Sequence, residues 1–298
     1  MKKRNNLIKR SPAERIFEVC NIIFLICLCV IMIYPMLYVV FASFSDPAEL
    51  IRHSGLLLKP LGFNVQAYKY VARNPMILRG YFNTIVVVVF GVLLNIILTS
   101  IGAYFLSRKN VKLQKPIAVM IIFTMLFSGG LIPLYFTVKD LGIENTYLAL
   151  ILPVAINTYN MIIMKTSLAG IPDSLEEAAK IDGAGHITIL CKVVLPLSKS
   201  IIAVMVMYYM VSHWNSWFNA MLFITDRKMF PLQLILREIL IQNDTSNMTQ
   251  MVGIGEQSMV GETIKYAVII VATVPILCIY PFVQKYFIKG VMVGAVKG

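Results

Sequence analysis

The chain has 298 residues, 58% of them apolar and only 14% charged, whereas a soluble domain carries about 25% charged residues. With a mean hydropathy of +0.76, this composition excludes an ordinary soluble globular domain and reads as an integral membrane protein. The pI near 9.5 would suit a nucleic-acid surface only if basic residues clustered on a soluble face, and no such face is evident.

The first eighteen residues, "MKKRNNLIKRSPAERIFE", hold six Lys and Arg. A first apolar span follows at Val19–Ser45. It is too long for a cleaved signal peptide and ends in no Ala-x-Ala-like site, so it reads as a retained span. The connection Asp46–Arg79 contains "FNVQAYKYVARNP", whose apolar and aromatic spacing predicts a short surface helix. Gly80–Ser107 is the second span, "RKNVKLQK" a basic connection, Pro116–Val138 the third span and Asn145–Met164 the fourth. After a charged connection come the fifth span, Ser200–Thr225, and the sixth, Tyr266–Gln284. Between these two, Asp226–Lys265 contains "PLQLILREILI", a predicted helix, and then the polar stretch "QNDTSNMTQ". None of the six spans contains Asp, Glu, Lys or Arg, and each reaches the roughly 20 helical residues that cross a bilayer core. The reading is an all-α membrane protein with a segment 1–18, one membrane domain over 19–288 and a tail over 289–298.

Orientation follows from the basic residues. If the N-terminus is cytoplasmic, seventeen Lys and Arg fall inside and ten outside, which is the asymmetry the positive-inside rule requires. Both termini are then cytoplasmic, and so is the connection between the fourth and fifth spans.

Catalytic chemistry finds no foothold. There is no His-Glu-x-x-His, no Gly-x-Ser-x-Gly and no metal-spaced Cys/His set. The cysteines, Cys27-x-Cys29 included, read as small buried hydrophobes. Ion-coupled carriers place ionisable residues inside spans, and here only His213 stands in one. No P-loop is present either, so energy for uphill transport has to come from another polypeptide.

The connection after the fourth span carries "EEAAKIDGAGHITILCKVVLP". Four ionised side chains, Glu176, Glu177, Lys180 and Asp182, fall within seven residues, and burying them at mid-bilayer would cost about 10 kcal/mol. The element therefore lies at the cytoplasmic surface. Asp173 reads as an N-cap with Glu176 reaching back as in a capping box, for a helix over about Ser174 to Asp182. Gly183 stands where a chain leaves a helix left-handed, and a second short helix over about His186 to Val194 should stop before Pro196. Ala178, Ala179 and Gly183 flatten one face, while Ile181, Ile187 and Leu190 supply an apolar side. The element reads as a docking hairpin, or else as an amphipathic connector lying on the membrane.

The run Glu177-Ala178-Ala179-x3-Gly183-x9-Val193-x-Leu195-Pro196 resembles the EAA motif of permease subunits of bacterial ATP-binding-cassette importers, with Val193 where the family has Ile. The fifth-span stretch "HWNSWFNAMLFI" and the tail "KYFIKGVMVGAVKG" are similar to the second permease subunit of the maltose-type carbohydrate family, and most to its complex-oligosaccharide permeases. The resemblance covers nearly the whole chain. It implies a multi-pass protein of the bacterial plasma membrane that pairs with a second, related permease. Two copies of a cytoplasmic ATPase subunit, which hold the ATP and Mg, and an extracellular solute-binding protein complete the importer. No cofactor belongs to this chain.

In that picture residues from about 173 to 189 form the coupling helix, with Glu176, Glu177, Ala178, Ala179, Asp182 and Gly183 facing the ATPase. The tail residues Gly294, Val296, Lys297 and Gly298 reach the ATPase, and Asn243, Asp244, Thr245, Ser246 and Asn247 reach the binding protein. Sugars are held by aromatic faces and amides. The fifth span offers Trp214, Trp217 and Phe218 on one helical stripe with Asn215 and Asn219 on another, and the fourth offers Asn157, Tyr159 and Asn160. Packing of these residues between helices is the competing reading. An importer for a non-sugar solute and a secondary carrier are the alternative functions.

Overall fold

The computed structural model describes residues 11–108, 111–241, 261–279 and 281. The expected binding-protein contacts Asn243–Asn247 and the expected ATPase-contacting tail Gly294–Gly298 lie outside the described residues. Among the described residues the chain is helical throughout, with no strand. It divides into two compact units, residues 1–71 with 248–270, and residues 72–247 with 271–298.

In the first unit, α1 (Pro12–Ser43) starts at a capping box, in which Glu14 N donates to Ser11 Oγ at 3.2 Å and Ser11 N donates to Glu14 Oε2 at 2.8 Å. Most of its apolar side chains are exposed on the chain's own surface, as a lipid-facing helix requires. Only its last turns are packed. There Ala42 meets Leu50 and Leu57 around α2 (Pro47–Arg52), with Tyr38 and Tyr266 against them. The predicted surface helix exists as α3 (Gln66–Arg73), tied to α1 by a 2.7 Å bond between the Tyr68 and Ser43 hydroxyls.

The second unit is built around α4 (Pro75–Ser107). Three glycines spaced eleven residues apart lie on one face of it, because eleven residues make just over three turns. At each a Cβ would collide with a packed neighbour: Ile235 at Gly80 (2.6 Å), the His213 ring at Gly91 (2.5 Å) and Met161 Sδ at Gly102 (2.6 Å). Small residues let helices approach closely where no hydrophobic drive separates protein from lipid. The helices of this unit that follow are α5 (Gln114–Leu126), α6 (Leu131–Asp140), α7 (Leu148–Val154), α8 (Thr158–Leu168), α9 (Asp173–Ile181), α10 (His186–Leu197), α11 (Lys199–Trp214), α12 (Phe218–Phe223) and α13 (Leu232–Ile241). The helix predicted in "PLQLILREILI" is α13. The last helix, α14 (Gly261–Ile279), begins in the first unit and ends in the second.

Among the described residues, only α1, α4 and α14 are long and apolar enough to cross a membrane unbroken. The count reaches six when α5 with α6, α7 with α8, and α10 with α11 each form one bent span. Where the third span is expected, α5 and α6 meet at a bend of 112° over Phe127–Gly130. Gly130 has φ +90°, and Pro133 sits harmlessly in the first turn beyond the bend. The fifth span is not one helix over Ser200–Thr225. Asn215 Nδ2 donates to Val211 O (3.0 Å), and the backbone leaves the helix there before α12 begins. Nor does Pro196 end the second helix of the hairpin. A π-turn over Leu190–Val194 absorbs its missing N–H, and Leu195 stays helical at φ −63°, ψ −43°. The five cysteines are exposed on the chain's surface rather than buried, because α1 and α14 turn outward the faces that carry four of them.

Candidate functional site

The charged element folds as the pair α9–α10. Its turn is a Schellman closure, with Gly183 N donating to Lys180 O (3.0 Å) and Ala184 N to Ala179 O (2.9 Å), and Gly183 at φ +82°. A Cβ on Gly183 would meet nothing within 4 Å. Glu177, Ala178, Asp182 and Gly183 are exposed, and Ala179 is half-buried against the core. Ile181 and Ile187 are 86% and 79% exposed, whereas Leu190 is turned inward beside Ile189. The apolar side expected from Ile181, Ile187 and Leu190 is therefore split between the outer surface and the core.

Glu176 departs from its expected place. α9 starts one residue early, at Asp173 behind an N-cap Pro172, and Glu176 makes no capping box. Its side chain is only 6% exposed and forms an ion pair with Arg108, whose side chain is 11% exposed. Glu176 thus points into the chain, and Glu177 and Ala178 are left outward. Arg108 was not anticipated from the sequence as part of the site. Its Nη2 donates to Leu168 O (3.0 Å) at the end of α8, its Nε donates to Ser107 Oγ (3.0 Å), and its guanidinium lies over the Tyr104 ring at 5.2 Å. The sequence signal was weak: Arg108 is the first of four basic residues in the connection after the second span, and the charged element carries two adjacent glutamates.

Beyond the other end of α8 lies a cavity of about 720 Å³, lined among others by Asn157, Tyr159, Asn160, Tyr208 and His213. A smaller one of about 220 Å³ shares Val154, Ser212 and His213 with it and adds Asn215, Trp217, Phe218 and Asn219. Seven of the eight predicted path residues line these two cavities, and no acidic residue does. Trp214 is the exception. It is buried, its Nε1 donates to Ala272 O (3.3 Å), and its ring meets Tyr81 edge-on. The stripe expected to join it to Trp217 is broken by the helix end at Asn215. Trp217 is partly exposed, packs edge-on against Phe218 and carries the Arg237 guanidinium over its ring at 4.7 Å.

Several cavity amides already serve the backbone. Asn157 Oδ1 caps α8 by accepting from Asn160 N (3.0 Å). At the α7–α8 break, Asn95 Nδ2 donates to Val154 O (2.7 Å) and Ala155 O (2.8 Å), while its Oδ1 meets His213 Nε2 at 2.7 Å. A broken span survives in lipid only where its freed carbonyls find such partners. His213 is accordingly a satisfied contact between α11 and α4, anchored beside Gly91.

The family described as "Binding-protein-dependent transport system inner membrane component" matches residues 101–293. The chain is 44% identical to protein LplC of Bacillus subtilis over 97% of both chains. It is 41% identical to the polygalacturonan/rhamnogalacturonan transport system permease protein YtcP of the same organism, over 96% of this chain and 99% of that one. Among solved structures, it is similar to a chain of a bacterial ABC transporter involved in the import of the acidic polysaccharide alginate. That match has a TM-score of 0.86 and 31% identity, and it covers 93% of this chain and 99% of the other.

Proposed function

Since the chain belongs to the family of inner membrane components of binding-protein-dependent transport systems, we propose that it forms half of the translocation path of an ABC importer for oligosaccharides. A second, related permease supplies the other half, two ATPase subunits carry the ATP and Mg, and an extracellular binding protein delivers the sugar. Both termini and the α9–α10 hairpin face the cytoplasm, in keeping with the distribution of Lys and Arg. The chain itself is a transport component and not the catalytic subunit.

The observation that carries this reading is the outer face of α9–α10. Its charges keep it out of lipid, yet Ile181 and Ile187 stand almost fully exposed beside Glu177, Ala178 and Gly183. A rigid hairpin with an acidic anchor, a flat small-residue face and bare isoleucines fits a protein cleft better than water or membrane. ATP-driven closure of the ATPase dimer would draw two such hairpins together and swing the spans between inward- and outward-facing states. On the substrate side, Tyr159, Asn160, Trp217, Phe218 and Asn219 offer ring faces and amides of the kind that hold sugars. Similarity to a polygalacturonan/rhamnogalacturonan transport system permease and to a transporter involved in alginate import supports the choice of a carbohydrate. The segments 243–247 and 294–298 extend the proposal, to the binding protein and to the ATPase dimer respectively.

Glu177→Lys tests it. The variant should accumulate in the membrane as wild type does but lose co-purification of the ATPase subunit or sugar uptake. Uptake at the wild-type rate would refute the docking role. A glycan uptake screen on a deletion strain would identify the sugar.

A further inference from the structure

The proposed docking face has to pass its movement to the cavity, and the chain between them is a weak link. Only Ala169–Pro172, with Gly170 among them, join α8 to α9. Left unbraced, such a linker would absorb a push on α9 as backbone rotation. Residues of this unit close the gap from another direction. Arg108, one residue past the end of α4, reaches both the last carbonyl of α8 and the Glu176 carboxylate one turn into α9.

We propose that Arg108, paired with Glu176, is the positioning residue that makes α4, α8 and the docking helix α9 move as one body. This rests on the docking role proposed for α9–α10. The guanidinium is held on every side. Ser107 Oγ accepts from Nε, Leu168 O accepts from Nη2, Tyr104 lies beneath the plane, and Glu176 takes Nη1. Ser107 is fixed in turn by its bond to Tyr104 O (2.7 Å). Asp173, at 3.9 Å and 66% exposed, adds a second carboxylate on the outer side. A buried ion pair is a poor way to gain stability, because desolvating both charges offsets their attraction, but its geometry is specific. α8, 11 residues and about 16 Å long, then runs from this clamp to Asn157 and Asn160 at the cavity. Bound this way, α8 is a strut with the docking element at one end and the substrate path at the other.

The test uses the complete importer in lipid nanodiscs with its binding protein and sugar. Arg108→Met, Glu176→Gln, the exchange Arg108→Glu/Glu176→Arg and, separately, Glu177→Lys are compared by co-purification of the ATPase subunit. They are also compared by the factor by which loaded binding protein stimulates ATP hydrolysis. The expected result is that Arg108→Met and Glu176→Gln keep the ATPase subunit but lose about tenfold of the stimulation factor, the size of a typical coupling between sites. The exchange should recover a large part of it. Wild-type stimulation in both single variants would overturn the proposal. So would single variants that fail with no recovery in the exchange, including the case where they do not accumulate. If Glu177→Lys keeps both the ATPase subunit and stimulation, the docking role itself fails, whatever the Arg108 variants do.

Discussion

The α9–α10 hairpin and the cavity use their polar residues in opposite ways. In α9–α10 the backbone closes itself through the Schellman turn, so Glu177 and Asp182 are spent on nothing inside the chain and remain on the outer surface. Around the cavity the helices are broken, and Asn95 and Asn157 are occupied with carbonyls and amides that the breaks expose, while the Asn215 side chain adds a second donor to Val211 O, which already accepts from its backbone N–H. A polar residue in an apolar chain is therefore read best by first asking whether a broken helix nearby already needs it. By that rule Tyr159, Asn160, Trp217 and Asn219 are stronger substrate candidates than Asn157 or Asn215.

The contrast is sharpest in two tryptophans only three residues apart. Trp214 is packed within the unit and hydrogen-bonded, so Trp214→Ala should cost about 3–5 kcal/mol. Fluorescence-monitored melting in detergent would show a fall of many degrees. A melting temperature unchanged by this variant would return Trp214 to the substrate path.

Asn95→Leu should come next. It strips the carbonyls of Val154 and Ala155 and the His213 ring of their shared partner, and each orphaned buried group costs about 1–3 kcal/mol. The expected loss is about 3 kcal/mol, with the ATPase subunit still co-purifying from whatever protein remains folded. If Asn95→Leu instead leaves stability intact while abolishing uptake, the amide serves the solute, and the division drawn between hairpin and cavity fails.

What the sequence revealed follows the same division. The hairpin was legible because four charges in seven residues have no place in lipid, and the left-handed Gly183 follows from small-residue chemistry. Which of the two adjacent glutamates turns inward was not legible. That depends on Arg108, 68 positions earlier, arriving under α9 through the packing of α4 against α8. The spans were legible as apolar lengths but not as bent helices. Hydropathy does not register that Ser128-Gly129-Gly130 lets α5 and α6 meet at 112°, or that the helix expected to run on to Thr225 ends at Asn215. Seven of the residues picked out by type line the two cavities, and Trp214 does not because the expected stripe assumed a helix running unbroken through Asn215.

Trp217→Ala is expected to have the smallest effect on folding and a selective effect on transport. Its ring is partly exposed, and what it holds inside the chain is one edge-on contact with Phe218 and the guanidinium of Arg237. At a half-exposed site such a cation–π contact contributes about 0.5–1 kcal/mol, so the melting temperature should move by only a few degrees. Uptake should show a raised KM for sugar-loaded binding protein or a lowered maximal rate, while co-purification of the ATPase subunit stays at the wild-type level. Trp217→Phe should restore most of the transport, because a ring face is what a sugar stacks on. Equal loss in the Ala and Phe variants would mean that the indole serves Arg237 alone, and the cavity would then lose its best aromatic candidate.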